Sequence, residues 1–135
     1  MSKPIPPMMK YMTTTPHTIG DEQTLAKAAS MMEEFGIRHL PVLRGGKLRG
    51  ILTDRDIKSA LSLVGVDTHK TTVADIATED VFQCSPTSLL DEVAQEMARE
   101  KIGSAVILDN NKVVGIFTVT DALQALSDLL HSRLA

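Results

Sequence analysis

The chain has 135 residues, of which 43% are hydrophobic and 23% charged, and its net charge is −3. That is enough apolar material for one compact domain or two small halves sharing a core, and it excludes a general electrostatic attraction to nucleic acid or anionic membrane. Trp is absent and aromatic residues make up only 3%, which argues against stacking platforms for single-stranded nucleic acid.

Residues 1–10 carry Pro4, Pro6 and Pro7, which suits an extended arm. Apolar residues then recur at helical spacing, at Leu25, Ala28, Ala29, Met32 and Phe35, and Gly36 is a natural stop. His39 to Leu43 reads as a short strand, with Pro41 pointing to an edge or an irregular start. Gly45-Gly46 is a hairpin turn signal, and Lys47 to Ile51 returns as the second strand. Thr53 caps a helix expected to run to about Val64, and the polar stretch after Gly65 reads as a linker. The order then recurs. Leu90, Val93, Ala94 and Met97 form a helical face, and Ser104–Leu108 with Val113–Phe117 form a hairpin around Asn110-Asn111. Thr118 opens a last helix with Leu123, Leu126, Leu130 and Leu134 on one stripe, which reads first as intramolecular core and second as a dimer seam.

This recurrence is a repeat in the sequence itself. A shift of 65 residues lays Gly50–Asp56 over Gly115–Asp121 and gives fourteen identities in the fifty-seven positions from residue 8 to 64. Composition alone would supply roughly three to five. Each copy reads as a β-α-β-β-α unit, with an arm over 1–10, repeat one over 11–66, a linker over 67–72 and repeat two over 73–132. Units of that size stack to share a core.

The Gly-x-x-Thr-x-x-Asp element stands twice where a strand turns into a helix. Taken singly it is a capping box, with Thr at the N-cap and a carboxylate in the first turn. Taken twice, with the glycine retained, it suits a ligand. The glycine admits close approach, helix N–H groups attract an anion, and a carboxylate can accept both hydrogen bonds of a ribose diol. Charge is lopsided between the copies. Residues 38–58 hold Arg38, Arg44, Lys47, Arg49, Arg55 and Lys58, whereas residues 103–123 hold Lys112 alone. A solvated face and phosphate binding both explain this. The four histidines have no metal-ligand spacing, and with one cysteine no zinc site is expected. No nucleophile–base set, Walker loop or GxGxxG appears, so no enzyme activity is expected. Cys84 cannot form an internal disulfide and reads as a small buried hydrophobe in a reducing compartment. No signal peptide and no apolar run of ~20 residues is visible, so a cytoplasmic location without membrane insertion is expected.

These motifs resemble those of a tandem pair of cystathionine-β-synthase-type (CBS) domains, or Bateman module. The resemblance is carried by Tyr11-Met12-Thr13 with Leu25, Ile37 to Val42 and Gly50 to Asp56, then by Ile76-Ala77-Thr78, Ile102 to Leu108 and Gly115 to Asp121. It covers about residues 8–130. It implies an α/β fold in which two β-α-β-β-α CBS repeats pack with pseudo-twofold symmetry and form two clefts for adenosine derivatives. It further implies a stand-alone regulatory sensor of AMP, ADP or ATP with no required cofactor, a homodimer, and a regulated enzyme or transporter as downstream partner. The alternative is a structural or dimerisation protein with unoccupied clefts. By the same resemblance, Asp56 and Asp121 would hold ribose hydroxyls, with Thr53 and Thr118 assisting. Arg38 would contact phosphate, and Arg55 adjoins the same helix N-terminus. Thr78 would line the base in the Asp56 cleft and Thr13 in the Asp121 cleft. His39 to Val42, including Pro41, and Ser104 to Val106 would wall the adenine. Copy two has Gly103, Val106 and Thr120 in place of Arg38, Pro41 and Arg55, so its cleft keeps the ribose carboxylate without the cations.

Overall fold

The computed structural model of the chain describes residues 4–134, the side chains of 133 and 134 excepted. In chain order, a 3-10 turn (Met8–Lys10) and β1 (Thr13–Thr14) lead to β2 (Ile19–Gly20), α1 (Leu25–Phe35), β3 (His39–Arg44), β4 (Lys47–Thr53) and α2 (Asp54–Leu61). Then come α3 (Val73–Ile76), β5 (Gln83–Cys84), α4 (Leu90–Glu100), β6 (Ser104–Asp109), β7 (Lys112–Thr118) and α5 (Val119–Leu134). This is the expected α/β repeat order, folded as two compact units. One is His17–Val81, here the Asp56 unit. The other is Met1–Pro16 with Phe82–Ala135, here the Asp121 unit.

In the Asp56 unit the sheet order is β2-β3-β4, with β2 parallel and β4 antiparallel to β3. Leu25, Ala28 and Met32 of α1 and Ile57 and Ala60 of α2 close over Leu40, Val42 and Leu52 in one core. The α1 helix ends at Gly36, whose φ of 62° closes the last turn without a Cβ penalty. Two expectations for its apolar face fail, because Ala29 and Phe35 face outward, and Phe35 stacks on His17 with ring centroids 3.7 Å apart. The helix α2 stops at Leu61 rather than near Val64. The Ser62 hydroxyl folds back onto the Ser59 carbonyl, and the chain turns at Gly65 with φ 87°. The 67–72 stretch does more than link the repeats: the Thr71 and Thr68 carbonyls accept from the free N–H groups of Leu25 and Ala26 at the α1 start. Pro41 does not sit on an edge strand, since β3 is central. The pairing with β2 covers only Val42 and Leu43, so Pro41 lies beyond its end and no ladder bond is lost. Its counterpart Val106 does donate, to the Phe82 carbonyl at 2.9 Å.

In the Asp121 unit the sheet order is β1-β7-β6-β5. Leu90, Val93 and Met97 of α4 pack on Ala105, Ile107 and Phe117. Of the arm expected over 1–10, residues 1–3 lie outside the described residues; Pro7 is extended, and the chain then turns so that Met8 enters this core with no exposure at all. Met8 N donates to Ser88 O and Leu90 N to Pro6 O, which fixes the segment in place. The leucine stripe of α5 is not core. Leu123, Leu126 and Leu130 are at least half exposed, and the inward face is Ala122, Ala125 and Leu129. The side chain of Leu134 lies outside the described residues.

Candidate functional site

Each unit presents the same corner, where the hairpin's return strand meets the N-terminus of the following helix. In the Asp56 unit Thr53 and Asp56 form a reciprocal capping box. Asp56 Oδ2 accepts from Thr53 N at 2.9 Å, and Asp56 N donates to Thr53 Oγ1 at 3.1 Å. Among the described residues Asp56 Oδ1 carries no hydrogen bond, so one carboxylate oxygen is free for a ligand. His39 lies cross-strand from Thr53, and Asp54 N donates to Arg38 O at 3.0 Å, which holds the start of β3 against the start of α2. Burial lowers the pKa of His39, opposed by Asp54 and Asp56 and reinforced by Arg38. The ring is therefore neutral at pH 7 and available as a donor or acceptor.

The structure sorts the six cations of copy one. Arg44 Nε lies 2.6 Å and Arg49 Nε 3.3 Å from Asp21 Oδ2, Arg49 Nη2 lies 3.0 Å from Glu79, and Lys58 approaches Asp54 at 3.9 Å. Among the described residues Arg38, Lys47 and Arg55 have no ion pair; Lys47 lies at the far end of β4, whereas Arg38 and Arg55 are exposed beside the helix start. Arg38 and Arg55 are thus the unpaired cations at this corner.

Thr78 lies next to this corner. Its backbone pairs with Ile51, N to O at 3.0 Å and O to N at 2.9 Å. Gly50 permits this, because a Cβ there would lie 2.6 Å from the Thr78 carbonyl oxygen. The close approach expected of a ligand at this glycine is taken by the protein's own backbone. Arg49, Asp21 and Glu79 were not among the sequence-derived site residues. Their ion pairs tie the Thr78 segment to the strand below it, and the one signal for them was charge confined to copy one.

The Asp121 unit repeats the arrangement with different bonding. Asp121 Oδ2 accepts from Thr118 N at 2.9 Å and from Thr118 Oγ1 at 3.3 Å, while Oδ1 accepts from Thr13 Oγ1 at 3.0 Å. Gly115 again accommodates the neighbouring strand, since a Cβ there would lie 2.7 Å from Met12 Sδ and 3.1 Å from the Thr13 carbonyl oxygen. Ser104 is buried cross-strand from Thr118, as His39 is from Thr53. The structure therefore groups Arg38, His39, Thr53, Arg55, Asp56 and Thr78 at one corner, and Thr13, Ser104, Thr118 and Asp121 at the other. Pro41 is buried in β3, two residues from His39. Among the described residues no group of three or more His, Cys, Asp or Glu could hold a metal ion, and no helix is long and apolar enough to cross a membrane.

Two α/β units, each with a Thr-x-x-Asp helix start beside a segment from elsewhere in the chain, define a tandem-repeat module. The family model for the CBS domain matches twice, over residues 9–63 and 73–128, and the chain belongs to the CBS-domain family. It is 34% identical over 110 residues to the CBS domain-containing protein YhcV of Bacillus subtilis, covering 82% of this chain and 78% of that one. Among solved structures, AcuB from Vibrio cholerae superposes with a TM-score of 0.87 at 30% identity over 96% of each chain. The CBS domain pair of MJ0100, in complex with 5′-methylthioadenosine and S-adenosyl-L-methionine, superposes with a TM-score of 0.83 at 29% identity, covering 93% of this chain and 98% of that one.

Proposed function

We propose that this CBS pair is a regulatory module that binds an adenosine-containing ligand, with the Asp56 corner as its primary site. The observation that carries this reading is the free Oδ1 of Asp56, on a carboxylate held rigid by the Thr53 cap and flanked by two unpaired arginines. The carboxylate suits a ribose diol, Arg38 and Arg55 suit a phosphate, and Thr78 with His39 suits the base. AMP, ADP or ATP matches this set. The adenosine ligands of the MJ0100 CBS pair support the class. Titration by calorimetry with AMP, ATP, adenosine and S-adenosylmethionine tests it. Asp56→Ala should weaken AMP binding by about 1.5–3 kcal/mol, the worth of a hydrogen bond to a charged group. Equal affinity in parent and variant removes the ribose role from Asp56.

A homodimer is part of the same reading. Val119, Leu123, Leu126 and Leu130 are exposed along α5, beside an apolar hollow of about 380 Å³ that Ala94, Met97, Ala98 and Ala122 help to line. Covering that face in a stable dimer should bury more than ~1,000 Å². Light scattering at micromolar concentration should return twice the 14.6 kDa chain mass.

A further inference from the structure

The two motif carboxylates differ in two bonds, those that the hydroxyls of Thr118 and Thr13 donate to Asp121. Asp56 keeps Oδ1 free, whereas Asp121 has both oxygens engaged, Oδ2 by Thr118 and Oδ1 by the hydroxyl of Thr13, 108 residues away in sequence. Thr13 and Thr78 occupy equivalent positions in the repeat, so residue type does not explain the difference. Strand pairing does. Thr13 and Thr14 form a two-residue antiparallel pair with Ile116 and Gly115, while Thr78 meets Ile51 in a single bridge. The residue after Thr78 is Glu79, drawn to Arg49, and the residues equivalent to these two are Thr14 and Val114, which cannot form that ion pair.

We infer that Thr13 is a specificity-determining residue of the Asp121 corner: its hydroxyl occupies an acceptor position on the carboxylate oxygen that a ribose diol would use, so a nucleoside competes with it. This rests on the adenosine-binding reading above. Asp121 already accepts three hydrogen bonds where a carboxylate offers about four acceptor positions, so the two donors of a diol cannot both bind without exchanging one bond for another, and the net gain is smaller. At Asp56 the same diol meets an oxygen with no hydrogen bond from the described residues. The Asp56 corner therefore fills first even for adenosine, which has no phosphate for Arg38 to favour.

The test has a ligand-free arm and a binding arm. Urea unfolding of the parent, Thr13→Val, Asp121→Ala and the double variant forms a double-mutant cycle. Its coupling should be about 3-fold or more in the unfolding constant, and Thr13→Ser, which keeps the hydroxyl, should behave like the parent. Adenosine is then titrated into the Asp56→Ala protein with and without Thr13→Val. Removing the hydroxyl should tighten the remaining site by about 3- to 10-fold, while Thr78→Val in the Asp121→Ala protein should not tighten the other. Absence of coupling, or a Thr13→Val site no tighter than before, overturns this inference while binding at Asp56 stands. If neither adenosine nor AMP binds any protein in the set, the parent included, the functional reading has failed and the inference falls with it.

Discussion

Gly50→Ala tests the physical basis of the Asp56 corner. A Cβ on residue 50 would lie 2.6 Å from the Thr78 carbonyl oxygen, which is backbone and cannot rotate away. Carbon–oxygen contacts settle near ~3.3 Å, so the Thr78 segment must retreat by roughly 0.7 Å. The Ile51–Thr78 bonds, 2.9 and 3.0 Å in the parent, then lengthen to about 3.6 Å, beyond useful hydrogen-bond range. Losing two net bonds of about 0.5–1.5 kcal/mol each costs about 1–3 kcal/mol, a large share of the stability of a small domain. Urea unfolding measures this directly, and AMP titration under native conditions reports whether the Thr78 segment, proposed to line the base, has moved. A loss below about 0.5 kcal/mol with unchanged AMP affinity would refute the idea that the glycine exists to seat the strand.

Arg38→Ala should weaken AMP binding while leaving adenosine nearly unchanged, since in the proposed site only the phosphate would meet the guanidinium, and parallel calorimetric titrations check it. Lys101→Gly should stabilise the protein by about 0.5–1 kcal/mol in urea unfolding, because Lys101 holds φ 56° where its counterpart Gly36 holds 62°. His39 protonates near pH 6.5 in the unfolded chain but at lower pH in the folded one, where burial disfavours its charge. The unfolded state therefore binds more protons in that window, and stability should fall as pH drops below about 6.5. His39→Gln should flatten that fall, and an unchanged pH profile of unfolding would show that His39 does not cause it.

Features encoded by neighbouring residues were legible in the sequence. The turns at Gly45-Gly46 and Asn110-Asn111 need left-handed backbone, and both pairs adopt it, with φ between 52° and 80°. The Thr53–Asp56 cap joins residues three apart, so spacing alone suffices. The resemblance assigned Thr78 and Thr13 to line the base, and the structure pairs the Thr78 backbone with Ile51 and the Thr13 hydroxyl with Asp121. Helix faces were less secure. The i, i+3, i+7 spacing of Leu123, Leu126 and Leu130 is shared by Ala122, Ala125 and Leu129 one position back, and the pattern does not say which set faces the sheet.

By itself the sequence determined the 65-residue repeat, the α/β element order and the paired Thr-x-x-Asp helix starts, because each depends on local preferences written into consecutive residues. Tertiary structure decided which charges stay free and which carboxylate oxygen is open. Arg44 and Arg49 are spent on Asp21 and Glu79, and Arg38 and Arg55 are not. Asp56 and Asp121 are identical in motif, yet only one meets a threonine hydroxyl from a neighbouring strand. Those outcomes turn on ångström-scale distances between residues far apart in the chain, set by how many residues of each neighbouring strand pair with the sheet.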